Sequence, residues 1–240
     1  RRRKKGCDMK EIENLLKEAM GQNRRTLSEY ESSRLLAAYG IPTAKGVLAR
    51  GWDEVKKAAA KIGYPVVLKV CSPEVSHKTE SGLVAVNLRS ETDLEAAFKR
   101  IGEASPVKDA DCLVQEMVKG GRELVIGMVR DPQFGPCVMF GLGGILTEIL
   151  GDVTFRPAPL VESDAMEMLM EIRGNKILGA VRGMEAVDLD SLVQCLMAMG
   201  KIGMAHEEIQ AIDVNPLIVR GNSPIAVDAL VILKEGVGCI

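Results

Sequence analysis

The chain has 240 residues, 47% hydrophobic and 27% charged, enough to bury a full core as one large domain or two interlocked lobes. Its 31 Lys and Arg against 33 Asp and Glu leave a formal charge of -2, so no global field draws it to nucleic acid or to a membrane, and neither partner is expected. The six cysteines, Cys7, Cys71, Cys112, Cys137, Cys195 and Cys239, stand singly with no C-x-x-C pair. That pattern excludes a zinc ribbon and a disulfide framework and reads as reduced thiols in a cytoplasmic protein. No apolar run reaches the ~18 residues of a spanning helix, and RRRKKGCD is followed by no signal-peptide core.

In chain order, the RRRKKG run reads as a solvated tail. Ile12, Leu15, Leu16 and Ala19 fall at helical spacing and Gly21 closes that short helix. Thr26 and Glu29 have the spacing of a capping box, and Gly40-Ile41-Pro42 supplies a C-cap glycine and a breaker, which predicts a helix over 27–39. A short strand follows at 46–49, then a helix at 53–62 ended by Gly63 and a buried strand, PVVLKV, at 65–70. Residues 82–88 alternate as a strand, and Ser90 with Asp93 caps an amphipathic helix through Leu94, Ala97, Phe98 and Ile101. Strands at 112–117, 123–130 and 136–141, the last two joined by a turn at 131–135, lead into the glycine cluster 141–144. The remainder reads as extended at 145–150 and 154–158, helical at 164–172 and 189–204, and as a closing hairpin of 211–219 and 224–233 that turns at 220–223. The pattern is an α+β fold of two lobes without internal repeats.

Lys69 lies inside PVVLKV, where its neighbours call for burial. Its ammonium must meet an anion, for which a phosphate suffices, or it pairs with a carboxylate or stands on a solvated edge face. The closing hairpin is more informative, because a two-residue turn at Gly221-Asn222 and a four-residue turn at 220–223 give the same register. Both set Asn215 opposite Asp228, and strand alternation puts Asp213 on the face of Asn215. Three hard oxygen donors on one patch suit Mg²⁺ completed by phosphate and water oxygens; the alternative is an Asx turn at Asn215-Pro216 with solvated carboxylates. Gln115-Glu116-Met117-Val118, followed by Gly120-Gly121-Arg122-Glu123, is either a crossover that holds a purine edge with a carboxylate nearby, or a polar loop between strands. His77 lies in the polar loop directly after the Lys69 strand. By position alone it and His206 read as inert loop or helix-end histidines. There is no Walker loop, no GxGxxG and no nucleophile elbow.

Taken together, the order of these pieces resembles the ATP-grasp domain of the ADP-forming acyl-CoA synthetases, relatives of succinyl-CoA synthetase, and the chain is similar to their β subunit. The segments that carry the resemblance are GIPTAKGVLA from Gly40, GYPVVLKV from Gly63, SHKTESG from Ser76, LVQEMVKGGRELVIGMVRDPQFGPCVMFGLGG from Leu113, FRPAPL from Phe155 and IDVNPLIV from Ile212. The resemblance implies a tail and short helix over 1–25 and an ATP-grasp domain over 26–235, with a lid lobe at about 42–112, a larger lobe at about 26–41 plus 113–235, and a nucleotide between them. It implies that Lys69 binds nucleotide phosphate, that Gln115, Glu116, Met117 and Val118 hold adenine, and that Glu123 contacts the ribose or the metal. Asn215 and Asp228, with Asp213, would hold Mg²⁺, and Arg156 in FRPAPL is a phosphate candidate.

His77 is the sharpest carry-over. The family passes a phosphoryl group through histidines, and imidazole is nucleophilic at neutral pH. The implied activity is that of an ADP-forming acid–thiol ligase: acyl-CoA, ADP and phosphate give carboxylate, CoA and ATP, with ATP/ADP and Mg²⁺ in the site. CoA chemistry belongs to an α subunit or α-like domains, so a hetero-oligomer is expected. Leu83 departs from the family pattern, which has a second glycine after Gly82. Two other readings are a regulatory nucleotide-binding module without turnover and a single-chain ATP-grasp carboxylate ligase.

Overall fold

The structure is a computed structural model that describes residues 9–74, 82–144 and 151–235. It divides into two compact units, one of residues 28–30 and 44–118 and a larger one of the remainder.

The smaller unit is a four-stranded sheet of β1 (Gly46–Ala49), β2 (Val66–Val70), β3 (Val84–Leu88) and β4 (Cys112–Glu116), in the order β1-β4-β2-β3. Every pairing is antiparallel. Helix α3 (Gly51–Ile62) packs on β1 and β4, and α4 (Glu91–Ala104) on β2 and β3. Both helices bury one apolar stripe, Val55, Ala58 and Ala59 on the first and Leu94, Ala97 and Ile101 on the second, the spacing that a 3.6-residue turn brings to one face. Ser90 caps α4 as expected: its Oγ accepts the Asp93 N–H at 3.1 Å, and Asp93 in return accepts the Arg89 N–H at 2.9 Å. These hydrogen bonds to its charged form hold the Asp93 carboxyl below its ordinary pKa. Because β4 is hydrogen-bonded between β1 and β2, the unit runs on to Val118 rather than ending near residue 112.

In the larger unit β5 (Glu123–Asp131), β6 (Gly135–Leu142), β7 (Val153–Pro157), β8 (Ile209–Arg220), β9 (Ser223–Ala226) and β10 (Leu230–Leu233) form one sheet, in the order β10-β8-β5-β6-β7 with β9 on β8. Helices α5 (Glu162–Glu171) and α6 (Leu189–Ala205) pack on the face that carries Ile126, Met128, Val138, Phe140 and Ile212, and α1 (Met9–Gly21) adds Ile12, Leu16 and Ala19 to the same core. The opposite face is set by register. Ile232, Ala211, Val129, Cys137 and Pro157 pair in one row, and Leu230, Asp213, Gly127, Met139 and Phe155 in the next.

Two sequence expectations are corrected. Helix α2 (Glu29–Ala38) begins at Glu29, two residues later than expected, and Thr26 bridges to Ile232. The closing strand at 224–233 is broken, since residues 227–229 leave the ladder between β9 and β10. A 3-10 turn at Asn175–Leu178 was given by no periodic signal. The predicted extended segment 145–150 lies outside the described residues. Among the described residues, no helix is long and apolar enough to cross a membrane.

Candidate nucleotide and metal site

In the smaller unit, Lys69 sits on β2 between β3 and β4, on a strand whose five residues are all buried. Its Nζ donates to Glu29 Oε1 at 2.6 Å, with the side chains 7% and 1% exposed. The anion that burial demands is therefore a carboxylate from the first turn of α2, 40 residues away, which no spacing rule points to. Gln115 is buried on β4 opposite Val67. Glu116 Oε1 accepts the Lys45 N–H at 2.8 Å, the Glu116 N–H donates to the Lys45 oxygen at 2.8 Å, and the Met117 N–H donates to Pro65 at 3.3 Å. With Val118 buried, residues 115–118 form an ordered exit from the sheet, not a loose loop. A separate cavity of about 640 Å³, walled by Val70, Phe98, Ile101 and Cys112 and also lined by Arg50 and Lys108, includes none of the candidate residues.

In the larger unit two of the predicted residues, Glu123 and Asn215, meet at Gly144, just past the end of β6. Gly144 has φ +62°, and a Cβ there would stand 2.2 Å from Glu123 Oε2. The Gly144 N–H donates to Asn215 Oδ1 at 3.1 Å and the Gly143 N–H to the Glu123 oxygen at 2.9 Å. A carboxylate and a side-chain amide thus meet one glycine, whose missing Cβ lets them approach.

The hairpin register holds on both sides of the break in the ladder: Leu217 pairs with Ala226 and Asp213 with Leu230, which sets Asn215 opposite Asp228. Asp228 Oδ1 accepts the Ala229 N–H at 2.9 Å. Asp213 is an exposed residue whose carboxyl is nonetheless ringed by protein; that crowding first, and the Asp228 charge second, raise its pKa. A cation bound between these acids would relieve their repulsion. Among the described residues, no group of three or more His, Cys, Asp and Glu side chains is arranged to hold a metal ion. The oxygens of Asn215, Asp228 and Asp213 could serve a hard cation such as Mg²⁺ if phosphate and water oxygens completed the set.

Arg156 does not join this cluster. It pairs with Val138, a core residue, so it projects to the helix-covered face, where its guanidinium meets Glu171 and, at 3.8 Å, Glu167 of α5. His77 lies outside the described residues. Sequence reasoning missed Glu29, Gly144 and Arg122. The last is 2% exposed and donates to the carbonyls of Ile177, Gly179, Glu185 and Gly221, tying the segment after α5 to the β8–β9 turn.

The profile of the ATP-grasp domain family matches residues 18–233. The chain belongs to the ATP-grasp family. This ATP-grasp chain is 42% identical over 224 residues to the acetate–CoA ligase [ADP-forming] I subunit beta of Pyrococcus furiosus, covering 91% of this chain and 96% of that one. It is 43% identical over 212 residues to the acetate–CoA ligase [ADP-forming] I of Archaeoglobus fulgidus, covering 86% of this chain but 31% of that one. The solved dinucleotide forming acetyl-coenzyme A synthetase 1 of Ca. Korarchaeum cryptofilum, in complex with coenzyme A and Mg-AMPPCP and with its phosphohistidine segment pointing towards the nucleotide binding site, matches at TM-score 0.83 and 43% identity, covering 93% of this chain and 100% of that one. The ATP-grasp match thus extends over almost the whole chain.

Proposed function

We propose that this chain is the nucleotide-binding β subunit of an ADP-forming acyl-CoA synthetase, a ligase that works with a CoA-binding α subunit to convert acyl-CoA, ADP and phosphate reversibly into carboxylate, CoA and ATP. The observation that carries this reading is the near end-to-end match to a β subunit, 42% identical and covering 96% of it.

The local geometry fits the roles this activity needs. Lys69, held by Glu29 inside a buried strand, is a fixed cation for a nucleotide phosphate. Residues 115–118 supply the ordered backbone for the adenine edge. Asn215 and Asp228, with Asp213, hold Mg²⁺, and Glu123 lies against Gly144 at the ribose or metal side of the cluster. Mg²⁺ supplies charge neutralisation between the phosphate oxygens of the nucleotide. A ring nitrogen of His77 bonds to the phosphorus of the partner's phosphoryl group as the partner's own bond to that phosphorus breaks; the new N–P bond then breaks as a terminal phosphate oxygen of ADP bonds to the same phosphorus, and the ring is released for another cycle.

Mixing the chain with the CoA-binding subunit, acyl-CoA, ADP, phosphate and Mg²⁺ is expected to form ATP only when both proteins are present. ATP formation by the CoA-binding subunit alone would overturn the proposal, as would none from a mixture in which both are folded.

A further inference from the structure

The cavity in the smaller unit holds about 640 Å³, within the size range of small-molecule sites. Val66, Leu68 and Val70 turn into the core beneath α3 and α4, and strand alternation sends Lys69 to the other face of the sheet. Val70 and its ladder partner Cys112 form the floor of the cavity, with Phe98 and Ile101 of α4 beside them. Burial, with Cys71 and Asp111 nearby, pushes the Cys112 thiol up to about 11, so the floor is uncharged at neutral pH.

The rim is charged, and its charges balance. Arg50, Lys108 and Asp109 line it, all three exposed, and Asp111 accepts from Arg50 Nε at 2.7 Å, so two cations stand beside two carboxylates. That ion pair engages one edge of the guanidinium and leaves its terminal nitrogens for a second acceptor. At the end of α4 the Ser105 hydroxyl accepts the Val107 N–H at 3.2 Å and donates to the Val107 oxygen at 2.9 Å, which holds the loop that brings Lys108 and Asp109 to the rim. A purely anionic ligand would meet the Asp109 carboxylate, and a purely cationic one would meet Arg50 and Lys108. A dipolar ligand of no net charge finds an opposite charge for each end.

We propose that this cavity binds a zwitterionic α-amino acid with an apolar side chain: its carboxylate on Arg50 and Lys108, its ammonium on Asp109, and its side chain against Phe98, Ile101, Val70 and Cys112. The amino acid lies on the helix side of the sheet and Lys69 on the other, so nucleotide phosphate at Lys69 does not compete with it. The aromatic wall supplies a reporter. Phe98 packs on Trp52 with ring centroids 5.7 Å apart, and Trp52 is the single tryptophan of the chain.

The test titrates L-leucine and L-phenylalanine into the full chain, followed by Trp52 fluorescence and by calorimetry, with Mg·ADP absent and then saturating. The expected result is saturable binding, at least tenfold tighter than that of the analogues lacking the amino group or the carboxylate (for leucine, 4-methylpentanoate and 3-methylbutylamine), and within twofold of the same affinity when Mg·ADP is present. No binding of either amino acid up to about 10 mM would overturn the site. Equal affinity for an analogue would overturn the ligand class, and competition by Mg·ADP would overturn the separate location. Two variants place the ligand. Gly102 lines the cavity and a Cβ there meets nothing within 4 Å, so Gly102→Phe adds bulk without a clash, at a helix position where glycine is the poorer residue. Asp109→Asn keeps a residue that tolerates the left-handed backbone of φ +54° and removes the charge. Each should weaken binding at least tenfold. Unchanged affinity in the first would overturn the cavity, and in the second the ammonium contact and with it the zwitterion. Should a variant not fold, hydrogen exchange on the wild-type chain decides: slower exchange over 105–112 with the amino acid is expected, and unchanged exchange there overturns the proposal.

Discussion

A buried lysine imposes a demand that one residue must meet. Glu29 meets it at 2.6 Å, and the two side chains then stand or fall together. Removing one side chain deprives the other of its opposite charge in the interior, at a cost of roughly 3–5 kcal/mol that removing both avoids. Lys69→Met is therefore expected to lower the urea midpoint by more than the Glu29→Gln/Lys69→Met double variant does. Both should lose at least tenfold in Mg·ADP affinity by calorimetry, because a charge-assisted phosphate contact of roughly 1.5–3 kcal/mol is gone from each. Additive destabilisation in the double variant would show that the pair does not act as a unit, and retained ADP affinity would remove Lys69 from the phosphate site. The need for an anion at Lys69 was legible in the sequence, since PVVLKV demands burial. Its source was not, because long-range pairing leaves no local trace.

Among the elements, the turns were the most legible features. Gly221 and Asn222 fix the β8–β9 hairpin, and the register they set carries through to Asp213 and Leu230 even though residues 227–229 leave the ladder. Alternation along β7 sends Phe155 and Arg156 to opposite sides, and Arg156 faces the helices. The crowding at Gly144 was invisible, because it depends on where β5 and β8 bring Glu123 and Asn215. Gly144 and Gly135 separate the two components of such a position. Both have positive φ, +62° and +73°, but a Cβ at Gly135 meets nothing within 4 Å, while one at Gly144 meets the Glu123 carboxylate at 2.2 Å. Each alanine variant should lose roughly 1–2 kcal/mol of stability to the left-handed backbone. Only Gly144→Ala should also weaken Mg·ADP binding, by about tenfold, as Glu123 is pushed aside. Equal ADP affinity in the two variants would detach Glu123 and Gly144 from the nucleotide site.

At the scale of the whole molecule, two sheets of different design divide the work. The four-stranded sheet buries both the Lys69 strand and the start of the 115–118 exit. The larger sheet keeps one face for its helices and leaves the other open beside the oxygen cluster. Chemistry of this kind needs a group that carries phosphate from a partner to the nucleotide, and His77, eight residues after Lys69 in the sequence, is proposed for that role. Since the reaction is reversible, the carrier can be loaded from the nucleotide side without any partner. Incubating the purified chain with Mg²⁺ and ATP labelled in its terminal phosphate should place an acid-labile, alkali-stable label on the wild-type chain, removed by adding ADP and absent from His77→Ala. A wild-type chain that binds Mg·ATP but takes up no label, or a His77→Ala chain labelled to the same extent, would contradict the account.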